Sequence, residues 1–135
     1  MTRDEVKQLL RRPRQITNAI QRKKEQADAL KASLLPQGIR YDTDRVQTSP
    51  SDRMADVMAE IDRLEREIRE LAEEKPRAIS ETIYFIEKLD DRQAEVMTLY
   101  FVSERKVRQI ARQLHYSEQN IYKIMQRGFD ALLKE

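Results

Sequence analysis

The sequence predicts an all-α protein: a long antiparallel helical hairpin followed by a three-helix tail of helix-turn-helix type. Three observations predict it. Charged residues make up 37% of the chain against only two glycines and four prolines, a balance that suits long solvated helices more than a large core. Apolar residues recur at a three-four spacing along two stretches of similar length. Charge is also unevenly spread: residues 1–35 carry nine Lys/Arg against four Asp/Glu and residues 36–89 nine against thirteen, whereas residues 90–135 are nearly balanced at eight against seven. Opposite net charge in neighbouring helical segments is expected of helices that pair with each other.

The first helix opens on Thr2 with Glu5 three positions later, a capping-box pattern. Leu9, Ile16, Ile20, Ala27, Leu30 and Leu34 then form one apolar stripe. Pro13 lacks an amide donor and crowds the preceding turn, so a kink or a fresh start near Arg12 is expected, with the steady part at 14–35. Residues 36–52 show no periodicity and are rich in turn formers, which reads as a long loop whose Ser49 and Ser51 are candidate N-caps for the second helix. From Met54 the stripe resumes with Val57, Ile61, Leu64, Ile68 and Leu71. Its reach matches that of residues 14–35, and residues 1–75 are therefore expected to form the hairpin. Each helix has only a narrow apolar stripe, so a second hairpin from another copy is compatible with the pattern and a homodimer through it stays open. Pro76 marks a break or new start, and Ile79, Ile83, Ile86 and Leu89 predict a connector helix over 76–89.

The tail, residues 90–135, predicts three short helices. Asp90 with Gln93 reads as an N-cap ahead of Val96, Met97, Tyr100 and Phe101. A second segment, from near Ser103, places Val107, Ile110, Ala111 and Leu114 at helical spacing, and a third, capped by Ser117, places Ile121, Ile124, Met125, Gly128 and Leu132 on one face. Ala111 is the small residue that lets the last helix cross its predecessor closely, and His115 to Ser117 form the turn between them. That turn leaves Glu118, Gln119, Tyr122 and Lys123 free to face base edges in a major groove, with Arg105, Arg108, Arg112 and Arg127 placed for phosphates. Ordinary solvated helix faces would present a similar set of charges.

The run Ile110-Ala111-Arg112-Gln113-Leu114-His115-Tyr116-Ser117, with Ala131-Leu132 later, resembles region 4 of the bacterial sigma factors, and the resemblance extends over Leu89 to Leu133. The whole chain is similar to small phage-associated proteins that join a coiled-coil front to a sigma-like tail. The residues that carry this are Asp44-Arg45-Val46-Gln47-Thr48-Ser49-Pro50-Ser51-Asp52 followed by Met54-Ala55-Asp56. Related groups are the late-gene transcription regulators of the ArpU and RinA kind. The resemblance implies a sigma region 4-like fold and a DNA-binding transcription regulator in a bacterial host's cytoplasm, with duplex DNA as partner and RNA polymerase as a second. Two residues depart from the pattern. His115 stands where the turn usually has glycine, though histidine tolerates a left-handed backbone. Glu118 stands where an arginine is often found; a carboxylate repels phosphate yet can accept from cytosine N4.

Several functions are disfavoured by what the chain lacks. It contains no cysteine and one histidine, so thiolate metal sites, thiol nucleophiles and histidine clusters are out. It has no glycine-rich phosphate loop, and the carboxylates of the second helix are spaced for solvated faces and pairs with arginine. No catalytic residue, metal ligand or cofactor is therefore assigned. No apolar run approaches the roughly 18 residues of a membrane span, and a soluble protein is expected. Two other roles stay open. The basic first helix, with Arg11, Arg12, Arg14, Arg22, Lys23 and Lys24, or the tail by docking on RNA polymerase, would make an adaptor that does not read DNA. A ring-forming DNA-packaging adaptor of the small terminase type is the other.

Overall fold

The computed structural model describes residues 1–35 and 50–134, and every described element is a helix. In chain order these are α1 (Arg3–Ser33), α2 (Pro50–Ile86), α3 (Asp91–Met97) running on into a π-helical turn (Thr98–Val102), α4 (Val107–Leu114) and α5 (Glu118–Leu133). The expected loop 36–52, with Ser49, lies outside the described residues except for its last three, which already belong to α2.

The fresh helix starts allowed at Pro13 and Pro76 do not occur: Pro13 lies inside α1 and Pro76 inside α2. The expected connector is the final part of α2. Proline costs a helix about 3 kcal/mol, which flanking turns can absorb when tertiary packing holds them. Around Pro13 that packing is visible. The ring is fully buried, and the Leu9 carbonyl, deprived of its amide donor, lies 3.5 Å from the hydroxyl of Thr82, a polar side chain buried in the core. The same hydroxyl has a shorter bond, 2.9 Å, to the Ala78 carbonyl. At the start of α1 the capping box forms as expected: Glu5 N–H donates to Thr2 Oγ1 and Thr2 N–H to Glu5 Oε1.

The described residues form two compact units. One is Asn18–Glu73, where the second part of α1 runs antiparallel to the first part of α2. Ala27, Ile61 and Leu64 are buried there. Lys23 bonds Glu67 at 2.9 Å and Lys31 bonds Glu65 at 3.0 Å, which is how the opposite net charges of the two segments are used.

The other unit combines Met1–Thr17 with Glu74–Glu135. Its core draws Val6 and Leu10 from α1, Ile86 from α2, Val96, Met97 and Phe101 from α3 and the π turn, and Ile110, Ala111, Ile121, Ile124, Met125 and Phe129 from α4 and α5. Arg3 pairs with Asp130 at 2.6 Å and Arg12 with Glu74 at 2.6 Å. α3 and α5 approach closely at Gly128, where an added Cβ would lie 3.2 Å from the ε-methyl of buried Met97.

Candidate nucleic-acid interface

The turn between α4 and α5 sets the geometry. His115 adopts a left-handed conformation (φ 61°, ψ 41°), and Tyr116 N–H donates to the Ala111 carbonyl at 2.9 Å. This six-residue closure is the Schellman way of ending a helix, with histidine in the place glycine usually takes. Two residues on, Ser117 is extended and its hydroxyl accepts from Asn120 N–H at 3.1 Å, which starts α5. Ile110 and Ile121 are fully buried between the two helices and Ala111 nearly so. The small residue at 111 and the two caps thus direct α5 across α4 with its N-terminal outer face exposed.

Before α4 the chain departs from expectation. The segment expected to begin near Ser103 starts at Val107, because the π turn widens the end of α3 and Glu104 then takes a left-handed conformation (φ 57°). Ser103 N–H reaches back five residues to Thr98 O, and Arg105 N–H reaches six to Leu99 O. The Tyr100 carbonyl is left without an amide donor from this turn. Arg14, from α1, supplies one. Its guanidinium donates to Tyr100 O at 3.0 Å and to Arg105 O at 3.1 Å, and stacks on the Tyr100 ring at 4.3 Å. Glu104 is held by Thr17 Oγ1 at 3.0 Å and Lys75 Nζ at 3.3 Å. Backbone groups freed by such a turn need partners; Arg14 supplies one to the Tyr100 carbonyl from the far end of the sequence, and Thr17 anchors the Glu104 side chain that follows.

The expected site residues divide into three groups. Arg108, Arg112, Glu118 and Tyr122 border one open hollow of about 710 Å³, together with Arg14 and Lys106. Four cations there face one carboxylate, so the hollow favours an anion. Arg105 and Arg112 border a neighbouring crevice of about 500 Å³, where Arg105 Nη1 donates to Gln113 Oε1 at 2.5 Å. Gln119, Lys123 and Arg127 line up at i, i+4 and i+8 on the outer stripe of α5, all exposed, as a helix that enters a groove requires. Tyr122 is 58% exposed, so packing does not account for it.

Sequence reasoning missed the roles of Arg14 and Tyr100. By sequence Arg14 belongs with the other cations of the basic first helix, and no pattern ties it to a carbonyl eighty-six positions away. Among the described residues no group of three or more His, Cys, Asp or Glu side chains is placed to hold a metal ion, and no helix is long and apolar enough to cross a membrane.

A short helix closed by a left-handed residue, then a capped helix crossing it with an exposed polar face, defines a helix-turn-helix. The family model Sigma-70, region 4 matches residues 81–132, which takes in the end of α2 and nearly all of α3 to α5. This tail is sigma region 4-like. Neither a curated protein nor a solved structure matches the chain.

Proposed function

We propose that the protein is a DNA-binding transcription regulator that lays α5 in a major groove of duplex DNA. Glu118, Gln119, Tyr122 and Lys123 face base edges in this reading, while Arg105, Arg108, Arg112 and Arg127 contact phosphates. The observation that carries it is the pair of caps at His115 and Ser117, which present the outer face of α5 beside a hollow of four cations. The match to Sigma-70, region 4 supports the same reading. The antiparallel unit would hold a second copy and set half-site spacing in a dimer, and the resemblance to phage-associated late regulators suggests a phage or prophage setting. RNA polymerase is a further partner that a sigma region 4-like tail would meet.

The test is fluorescence anisotropy on mixed-sequence duplex DNA across a salt series, for the intact chain and for a Lys123→Ala/Arg127→Ala variant. Steep salt dependence is expected for the intact chain. The variant should bind more weakly, with a log-log slope shallower by about 0.9 for each phosphate it no longer neutralises. Equal binding by both proteins would remove α5 as the reader. Absence of binding even at low salt would overturn DNA recognition in favour of an adaptor that docks on polymerase.

A further inference from the structure

The tail alone carries little net positive charge: residues 90–135 hold eight basic against seven acidic side chains. Phosphate contacts supply most of the affinity of proteins for duplex DNA, so a reader built only on this tail would bind poorly. The structure adds a second source of positive charge. Residues 1–17 hold five basic side chains, Arg3, Lys7, Arg11, Arg12 and Arg14. Two of them are paired with carboxylates inside the unit, Arg3 with Asp130 and Arg12 with Glu74, whereas Arg14 donates only to the neutral Tyr100 and Arg105 carbonyls and keeps its charge. The remaining three, Lys7, Arg11 and Arg14, fall at i, i+4 and i+7 and therefore form one stripe along α1, beside the buried stripe of Val6, Leu10 and Pro13.

That stripe runs alongside α5. Lys7 Nζ lies 5.7 Å from the Phe129 ring centroid. Lys7 and Arg11 border a crevice of about 230 Å³ with Tyr122, Met125 and Gln126 of α5. One turn further on, Arg14 borders the larger hollow with Glu118, Tyr122, Arg108 and Arg112. Tyr122 is common to both. The exposed edge of α5 thus has cations of α1 along it and cations of α4 at its N-terminal end. Arg11 is exposed, and among the described residues no hydrogen bond or ion pair holds it.

The scale of the duplex fits this arrangement. A major groove is about 12 Å wide, and packed helices lie about 8–10 Å apart. When one helix fills the groove, a helix packed beside it comes over the groove wall, which is sugar-phosphate backbone.

Resting on the reading of α5 as the groove helix, we propose that Lys7, Arg11 and Arg14 of α1 form a bank of phosphate contacts flanking α5, so that the DNA-binding surface is built from both ends of the described chain. Residues before the Asn18–Glu73 unit then add affinity without reading sequence.

Anisotropy salt series on mixed-sequence duplex, with the intact chain, test this through two charge-matched variants. Lys7→Gln/Arg11→Gln should show a log-log slope shallower by about 1.8, at about 0.9 per phosphate. Arg22→Gln/Lys24→Gln, which removes the same charge from exposed positions in the Asn18–Glu73 unit, should match the unaltered protein. If Lys7→Gln/Arg11→Gln binds as the unaltered protein does while Lys123→Ala/Arg127→Ala is weakened, the bank is refuted and the groove helix stands. If both charge-matched variants weaken by the same amount, net charge is responsible and the bank is again refuted. If the unaltered protein shows no salt-dependent binding, the groove reading fails and the bank with it. Arg11→Gln alone, with half the change in slope, carries the test should taking Lys7 away from Phe129 lower the thermal midpoint.

Discussion

Replacing Arg14 by alanine should destabilise the unit that carries the helix-turn-helix by about 2–3 kcal/mol. Three interactions contribute, and together they come to about 3 kcal/mol, the upper end of that range. The bond to Tyr100 O, at 3.0 Å, is partly buried, and a hydrogen bond from a charged donor contributes about 1.5 kcal/mol there. The bond to Arg105 O, at 3.1 Å, is exposed and is discounted to about half that. Stacking on the Tyr100 ring at 4.3 Å adds about 0.5–1 kcal/mol. With a slope in urea of about 1–3 kcal/mol per molar, the unfolding midpoint should fall by about 1–3 M. Tyrosine fluorescence is the suitable signal, since the chain has no tryptophan and Tyr84, Tyr100, Tyr116 and Tyr122 all lie in this unit. Arg14→Lys should recover half the deficit or less, because an ammonium keeps the charge but lacks the planar fork that spans two carbonyls while stacking on a ring. A midpoint for Arg14→Ala within about 0.3 M of the unaltered protein would refute the view that this side chain completes the π turn.

The caps and the ion pairs are open to perturbation too. His115→Gly should leave the protein as stable or up to about 1 kcal/mol more stable, and His115→Val at least about 1 kcal/mol less, because only glycine takes a left-handed backbone without strain. Thermal melts compare them, and a valine variant as stable as the histidine protein would contradict the turn. In the antiparallel unit, hydrogen bonds from Arg63 to Glu60 and from Lys23 to Glu67 hold both carboxyls below the usual carboxylate range. Groups whose pKa is lowered by folding stabilise above the unfolded value, near 4.3, and lose that contribution as pH falls through the folded one. Helix content followed by circular dichroism should therefore decline below about pH 4, and a Glu60→Gln/Glu67→Gln variant should decline less over that range; parallel curves would count against these pairs. At the other extreme, bonding to Glu65 raises the pKa of Lys31, whose contribution is present below the unfolded lysine value and fades as pH rises through the folded one.

The features legible in the sequence are those that depend on near neighbours. Asp90 and Ser117 cap their helices three residues on, Thr2 and Glu5 close their box, and His115 occupies the left-handed position expected of it. Spacing alone also gives Ile16 and Ala27 of α1, Ile61 and Leu64 of α2 and the buried face of α5, though Met54 and Ile83 of the expected stripes are exposed and Val6 and Leu10 take the place expected for Leu9. Expectation fails where a distant partner changes the local balance. Pro13 by itself should disturb its helix, yet it is buried in a unit whose other walls come from residues 74 onward. The start expected at Ser103 moves to Val107 because Arg14 and Thr17 stabilise a π turn and a left-handed Glu104 that nothing between residues 98 and 106 announces. The four expected base-edge residues are all exposed on α5, since an outward face is set by the same periodicity as the buried one. The cations that α1 adds to them depend on tertiary packing and have no such signature.

Because the unit that carries α5 is assembled from Met1–Thr17 and Glu74–Glu135, its order of formation is tied to synthesis. The ribosome releases the α1 segment first, and Val6 and Leu10 have no core to enter until residues past Phe129 have emerged. The contacts they then make are far apart in sequence, and the loop-closure entropy for such contacts is spent before packing returns it. A nascent or proteolysed chain that stops short of α5 therefore carries an apolar α1 edge with nothing to cover it. A fragment beginning at residue 90, cut out as an independent DNA-binding piece, would in turn leave bare the surface that Val6, Leu10 and Ile86 occupy in the intact unit.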